Sequence, residues 1–443
     1  MAEPLRIALA GLGTVGAGVI RLLAANAALV RSRAGREIRI VAVSARDRVR
    51  DRGVDLSAFD WCDDMAAMAS RDDVDAVVEM VGGADGPALT LAKTAIRQGK
   101  ALVTANKAMI AHHGLELARA AEERGVPLKF EAAVAGGIPV IKGLREGAAA
   151  NAIARVQGIL NGTCNFILST MEDTGRDFAD VLAEAQALGF AEADPSFDID
   201  GIDAGHKLAI LAAIAFGARL DFAHVSCEGI GAVRAADIAR ARDLGFVIRL
   251  VGEADVDAGP PGAAPARLLQ RVRPCLVPQA HPLAHVDGPT NAVVAEGNFS
   301  GRLLFQGAGA GDGPTASAVV ADLIDIARST MDGREAGPAF SVPVGELLAM
   351  EPAEPGDRTG RSYIRFTVAD RPGVLAEITA AMRDAEVSIE SLIQQGEPDA
   401  KGDVLVAMVT HEGPERCVAE ALRLLDGSPS LTAPPLVMPI LEA

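Results

Sequence analysis

The sequence predicts an α/β protein of three domains, and three observations carry that prediction. Short apolar runs alternate with helix-like segments from Leu5 to Thr104, the pattern of βαβ units around a parallel sheet. From about Val134 longer helical stretches mix with β-like ones, as in an α+β domain. A Pro/Gly/charged break at Glu351–Gly360 then precedes a segment that reads βαββαβ. The expected layout is 1–133, 134–350, a linker at 351–360, and 361–443. A length of 443 residues agrees with three domains at roughly 150 residues each.

In the first domain, Leu5–Ala10 (LRIALA) reads as a buried parallel strand ending at Gly11, followed by a helix from Val15 to about Arg31. Ile38–Val43, Ala76–Val81 and Ala101–Thr104 repeat the strand signal. In the second, Arg155–Leu160 is strand-like, while Phe178–Leu188 and Ile202–Phe216 are helical. Asp257–Ala266 (DAGPPGAAPA) reads as an exposed loop. In the third, strands at Tyr363–Val368, Val387–Ile393, Val404–Thr410 and Leu436–Leu441 alternate with helices at Pro372–Asp384 and Pro414–Leu425. Pro372 sits in a first helical turn, where its missing N–H costs nothing.

Composition excludes several function classes. Apolar residues at 49% and charged residues at 23% are ordinary for a folded chain. Lys plus Arg number 42 against 59 Asp plus Glu, a net charge of −17 that repels phosphate backbones and anionic membranes. Aromatics at 3% provide no stacking platform for bases. No nucleic acid and no membrane is therefore expected as a partner. The cysteines Cys62, Cys164, Cys227, Cys275 and Cys417 are scattered without a C-x-x-C, which fits free thiols in a reducing compartment. The longest apolar run, Leu208–Phe216, is too short to span a bilayer, and Glu3 is wrong for a secretion signal. A cytoplasmic protein is expected.

Gly11-Leu12-Gly13-Thr14-Val15-Gly16 is a G-x-G-x-x-G between a strand and a helix, the context in which this motif binds a dinucleotide. Gly11 permits the turn, Gly13 admits a pyrophosphate, and Gly16 lets helix and strand approach; N–H groups at the helix start, near Thr14 and Val15, face the phosphates. Alone, the motif could be an ordinary glycine turn. The second strand ends Val43-Ser44-Ala45-Arg46, with no acid at its terminus. An acid there would hold a ribose diol, whereas Arg suits a 2′-phosphate, so NADP is favoured with NAD as the alternative.

Two lysines stand out. Lys107 follows a parallel strand in Thr104-Ala105-Asn106-Lys107, at the strand end where ligands bind in open α/β sheets. Lys207 lies four residues after Asp203 on an apolar helix, so the two share a face. Most such pairs are ordinary surface ion pairs, but this helix is too apolar to be exposed. If the lysines converged, each would ease the other's proton loss, which helps acid–base work near neutrality. The neighbouring acids Glu192, Asp194, Asp198 and Asp200 have no His or Cys at metal-ligand spacing.

The segment Ala185-x-x-x-Gly189-Phe190-Ala191-x-x-Asp194-Pro195-x-x-Asp198-Ile199-x-Gly201-x-Asp203-x-x-x-Lys207 resembles the signature of homoserine dehydrogenases, in the monofunctional form with a C-terminal ACT domain. The resemblance extends over essentially the whole chain, through Thr104–Lys107, Gly158–Thr163, Arg273–Pro278, His281–Leu283 and Gly307–Ala316. It implies a Rossmann domain, an α+β catalytic and dimerisation domain and a ferredoxin-like ACT domain. The implied reaction interconverts L-aspartate 4-semialdehyde and L-homoserine with NADP. Lys207 would be the proton donor, with Lys107 beside substrate and nicotinamide. Glu192, Asp203, Gly162 and Thr163 would bind substrate. Gly11, Gly13, Thr14, Val15, Gly16, Ser44, Arg46, Thr104, Lys107, Gly189 and Gly307 would line the cofactor. A monovalent cation such as Na+ would lie on Glu131 and the backbone of Val134, Gly136 and Ile138.

Asp370-Arg371-Pro372-Gly373-Val374-Leu375-Ala376 and Ser388-Ile389-Glu390-Ser391 resemble an ACT module, whose expected effector is threonine. A homodimer or homotetramer is implied. Two rival readings are another NADP-dependent oxidoreductase of a small amino or keto acid, and a non-catalytic amino-acid sensor. The second conflicts with the retained glycines and lysines.

Overall fold

The computed structural model describes residues 2–257, 266–331, 336–394 and 402–442, so most of the predicted loop at Asp257–Ala266 lies outside the described residues. The chain opens with β1 (Leu5–Ala10), α1 (Thr14–Ala25), α2 (Ala27–Ala34), β2 (Ile38–Ser44), β3 (Asp60–Trp61), β4 (Ala76–Glu79), α3 (Pro87–Arg97), β5 (Ala101–Thr104), α4 (Lys107–Arg124) and β6 (Leu128–Lys129). Its strands form one sheet in the order β3-β2-β1-β4-β5-β6, all parallel. Strand order reverses between β1 and β4, which opens a crevice at their carboxyl ends. The glycine loop sits there. Gly11 has φ +94°, and a Cβ on it would meet the Met80 carbonyl oxygen at 2.5 Å. A Cβ on Gly16 would lie 2.1 Å from the Gly11 oxygen. The helix predicted from Val15 to Arg31 is two helices bent by 85°. Asn26, at φ −108° and ψ 22°, breaks the helical path while its N–H closes α1 onto Leu22.

The middle of the chain adds β7 (Ile153–Ile159), α5 (Gly162–Thr174), α6 (Phe178–Ala187), α7 (Ile202–Phe216), α8 (Ala235–Asp243), β8 (Phe246–Asp257), β9 (Arg267–Pro278), β10 (Thr290–Gly297), β11 (Gly301–Ala308) and α9 (Asp312–Met331). The strands run antiparallel in the order β11-β10-β7-β8-β9. α7 is buried from Asp203 to Ile214, as its all-round apolar sequence demands. α9 belongs structurally to the first domain: Val319, Leu323 and Ile326 share a core with Ile7, Leu9 and Val19. A Cβ on Gly18 of α1 would lie 2.8 Å from the Asp312 oxygen. The dinucleotide domain predicted at 1–133 is thus closed by a helix from the second segment, because the apolar face of α1 needs a partner.

The third domain contains β12 (Thr359–Ala369), α10 (Val374–Asp384), β13 (Ile389–Gln394), β14 (Asp403–Thr410), α11 (Glu415–Leu424) and β15 (Leu431–Ile440). Its strand order, β15-β12-β14-β13, continues the antiparallel sheet of the second domain, because β15 pairs with β9 at Leu276 and Ile440. The predicted linker is no free tether. Glu351 and Pro352 pair with the start of β9, and Ala353 N–H donates to the Leu268 carbonyl at 3.0 Å. Charges reinforce the seam: Glu415 receives Arg271 and Arg273 at 2.8–3.0 Å, and Asp237 receives the Tyr363 hydroxyl at 3.0 Å and the Arg365 guanidinium. Among the described residues, no single helix is long and apolar enough to cross a membrane.

Removing Glu415 leaves Arg271 its second partner, Glu253, at 2.9 Å and strands chiefly the part-buried Arg273, so the cost lies below the roughly 3–5 kcal/mol of breaking a fully buried pair. Glu415→Ala should therefore lower the thermal midpoint of the full chain clearly, and Glu415→Gln should lower it less. Equal midpoints for wild type and Glu415→Ala would refute the role of this contact.

Candidate active site

A cleft of about 730 Å³ lies where the crevice of the parallel sheet meets the antiparallel sheet. Its walls come from Val15 at the glycine loop, Lys107 after β5, Asn161–Thr163 after β7, Gly189–Phe190, Asp198, Asp203 and Lys207 on α7, and residues 308–311 before α9. These segments are far apart in sequence and meet only because two sheets share one mouth.

At the centre, one carboxylate holds both lysines. Asp203 Oδ2 accepts from Lys207 Nζ at 2.6 Å, and Asp203 Oδ1 lies 3.0 Å from Lys107 Nζ. The ammonium groups do not confront each other unshielded, as the sequence reading supposed; each has its own carboxylate oxygen. Burial disfavours the charge on Asp203, yet Lys207 and Lys107 hold its carboxyl well below the ordinary range. Lys207 also donates to the Leu160 carbonyl at 2.7 Å. Two of its three N–H groups are thus used, and one is left for a ligand. Lys107 is the first residue of α4, where the helix dipole disfavours a cation, so its position depends on Asp203.

Residues not singled out from sequence hold this group. Asn161 caps α5 by accepting from Cys164 N–H at 2.8 Å, and its amide donates to Asp203 at 2.9 Å and Asp198 at 2.8 Å. Burial, then the charge on Asp203, pushes the Asp198 carboxyl up. An Asn just before a helical pattern is a capping signal, but nothing local shows its link to Asp203. Asn106 caps α4 at Met109 and donates to the Gly83 carbonyl at 2.7 Å, fixing the turn that carries Lys107. Asn291 lines the cleft, and among the described residues neither polar atom of its buried amide has a partner.

The remaining predicted residues divide by position. Gly162, Thr163 and Gly189 line the cleft, with the Thr163 hydroxyl donating to the Phe190 carbonyl at 2.8 Å. Glu192 is exposed, two residues beyond Phe190. Thr104 is buried behind the cleft, donating to Glu79 at 2.5 Å. Gly307 lies on β11 opposite Asn291, and a Cβ there would lie 3.3 Å from Ile138. The buried Ser44 turns its carbonyl to Gly11 N–H at 2.9 Å. Arg46 is exposed and opens a basic loop whose Arg52 donates to the Leu12 carbonyl at 3.0 Å.

The glycine loop suits a pyrophosphate: Gly13 caps α1, and a Cβ there would meet nothing within 4 Å. Glu131 is buried, and burial with the nearby Asp322 pushes its carboxyl up to about 7. Ile141 and Lys142 N–H donate to it at 3.0 and 2.9 Å. Ala135 and Gly136 follow with φ of 56° and 52°, an unusual turn beside it. Among the described residues, no group of three His, Cys, Asp or Glu side chains could hold a metal ion.

A parallel sheet with a phosphate-binding loop, and a paired-lysine site at its mouth, define a nicotinamide-dependent oxidoreductase. Comparison with known proteins makes this specific. Residues 139–324 match the homoserine dehydrogenase family model, 11–131 the homoserine dehydrogenase NAD-binding domain, and 362–425 the ACT domain. Homoserine dehydrogenase of Neisseria gonorrhoeae is 45% identical over 96% of this chain and 95% of its own length. That of Pseudomonas aeruginosa is 42% identical over 98% of each. The crystal structure of a homoserine dehydrogenase from Thiobacillus denitrificans superposes with a TM-score of 0.91 at 40% identity, covering 99% of both chains. A hyperthermophilic archaeal homoserine dehydrogenase in complex with NADPH gives 0.62 at 26% identity, over 75% of this chain and 99% of that one. The chain belongs to the homoserine dehydrogenase family.

His206, beside Lys207, packs against His112 and Phe222, and burial followed by His112 lowers its pKa to about 4. An unfolded His titrates near 6.5, so between about pH 4 and 6.5 the unfolded chain binds the extra proton. Stability should be full above about pH 6.5 and fall as the pH drops toward 4. The slope of urea-unfolding free energy against pH should be shallower in His206→Phe than in wild type; parallel slopes would rule this out.

Proposed function

We propose that this chain reduces L-aspartate 4-semialdehyde to L-homoserine with NADPH, reversibly, in the synthesis of threonine, methionine and isoleucine. The observation that carries the reading is the pair of lysines on one buried carboxylate at the carboxyl ends of a dinucleotide-binding sheet. NADPH, when bound, supplies the hydride that adds to the aldehyde carbon. As charge develops on the aldehyde oxygen, the free N–H of Lys207 stabilises it and gives up its proton, forming the hydroxyl. Solvent returns that proton to Lys207. Lys107 adds fixed positive charge, and Asp203 keeps both ammonium groups in place.

Glu192 and Asp203 are assigned to the substrate, with Glu192 suited to its ammonium group, supported by the place of Glu192 just beyond the cleft-lining Phe190. Gly162 and Thr163 would bind the rest of the substrate. Gly11, Gly13, Thr14, Val15, Gly16, Gly189 and Gly307 would hold the dinucleotide, with Ser44 and Thr104 supporting the adjacent turns. The monovalent cation fits Glu131, whose buried charge it would neutralise, with carbonyls of Val134, Gly136 and Ile138 as hard oxygen donors. Its contribution is to fix the turn between the two sheets.

The ACT domain is assigned to regulation by threonine, and the chain to the cytoplasm, consistent with its five free cysteines. Assembly as a homodimer or homotetramer is supported by β11, a sheet-edge strand with Leu304 and the adjacent Phe299 exposed.

The decisive assay follows NADPH oxidation with aspartate semialdehyde, with and without threonine; inactivity toward this substrate would defeat the reading. Lys207→Ala should cut kcat by about 10²–10⁴-fold while NADPH still binds, the scale of a lost proton donor. Full activity in that variant would remove Lys207 from the reaction. Arg46→Ala should weaken NADPH about tenfold and leave NADH unchanged, the scale of one charge-assisted hydrogen bond. An unaltered NADPH/NADH preference would exclude a 2′-phosphate contact.

A further inference from the structure

Glu79 ends β4, the strand between β1 with its glycine loop and β5 with the turn that carries Lys107. It is 0% exposed, and among the described residues its carboxylate meets only neutral donors. Oε1 accepts from the N–H groups of Val81 and Gly82 at 2.6 and 3.2 Å, and Oε2 accepts from the Thr104 hydroxyl at 2.5 Å. A carboxylate buried without a cation is costly to keep, so the position needs a reason.

The reason lies in a closed ring of hydrogen bonds. Thr104 Oγ1 accepts from Asn106 N–H at 2.9 Å, which leaves the hydroxyl proton for Glu79. The Asn106 amide donates to the Gly83 carbonyl at 2.7 Å, and its oxygen accepts from Met109 N–H at 3.0 Å in the first turn of α4. The ring thus runs from Glu79 through residues 81–83 to Asn106, Thr104 and back. Gly82 and Gly83, with φ of +86° and +85°, curl the loop into it. On one side Val81 and Gly82 line the cleft, and Met80 N–H donates to the Ala10 carbonyl at 2.8 Å, just before the glycine loop. On the other side Lys107 directly follows Asn106. Every donor around Glu79 needs an acceptor, so only a group that accepts on both oxygens closes the ring.

We infer that Glu79 is a positioning residue: it locks the turn carrying Lys107 to the loop after β4, and so sets where the Lys107 ammonium stands relative to a bound dinucleotide. The inference takes its reaction from the homoserine dehydrogenase reading, whereas the placement of Lys107 is measured without any substrate.

The full chain is compared with Glu79→Gln, Thr104→Val, Thr104→Ser and the double variant Glu79→Gln/Thr104→Val. The rate at which acetic anhydride modifies Lys107, followed by mass spectrometry with the other lysines as internal reference, should rise several-fold in Glu79→Gln and Thr104→Val. In the same two variants kcat should fall about tenfold or more, the scale of a misplaced catalytic group. NADPH should still bind within about twofold of wild type, because the glycine loop lies outside the ring. A protein merely loosened throughout would lose cofactor affinity as well. Thr104→Ser restores the hydroxyl and should recover both readouts. The double variant should lose no more than either single one, since the ring is opened only once. Lys107 labelling or kcat that stays at the wild-type level in both single variants overturns the inference, and so does weakened NADPH binding with kcat intact. If Glu79→Gln does not fold, Thr104→Val and Thr104→Ser decide. A wild-type chain inactive toward aspartate semialdehyde refutes the substrate reading, and the labelling rates then decide the role of Glu79 by themselves.

Discussion

The site depends on burying one negative charge. Asp203 lies in a protein interior where an unpaired carboxylate would cost several kcal/mol, and it is retained because two lysines and an amide surround it. Each partner comes from a different part of the fold: Lys207 from the next turn of α7, Lys107 from the start of α4 after β5, and Asn161 from the cap of α5 after β7. The constellation therefore assembles only when the parallel and antiparallel sheets are docked. A carboxylate shared by two cations also orders them, so that one N–H of Lys207 stays directed at the cleft for a ligand.

The ACT domain shares the sheet on which this helix rests. β9 carries Arg271 and Arg273, which hold Glu415 of the ACT domain, and between them Val272, whose side chain lies against Gly201 at the start of α7. A Cβ on Gly201 would come within 3.1 Å of Val272 Cγ1, and its φ of +81° makes the turn that opens α7. Glycine meets both demands. Two residues later stands Asp203. The ACT domain is thus one strand removed from the ionic centre of the cleft, through packed backbone and without a flexible tether.

Local chemistry made much of the fold legible. The glycine motif, the alternating apolar runs and the βαββαβ order each encode short-range geometry, and each corresponds to an element where it was expected. The i,i+4 spacing of Asp203 and Lys207 on an apolar helix announced a buried pair. What local patterns missed were features set by distant partners. Asn26 divides a helix that periodicity read as continuous. α9 closes the dinucleotide domain from the far end of the next segment. Residues 351–353 join β9 although their composition is that of a linker.

The same division applies to the site. By itself the sequence determined the residue types, their local spacing and the family, because a helix turn, a capping Asn and a glycine loop are properties of a few consecutive residues. Only the tertiary structure decided that Asp203 lies between Lys107 and Lys207, that Asn161 ties Asp198 to it, and that the amide of Asn291 finds no partner among the described residues. Whether a polar group finds a partner depends on what the rest of the chain brings within about 3 Å, and that distance is fixed only when the sheets pack.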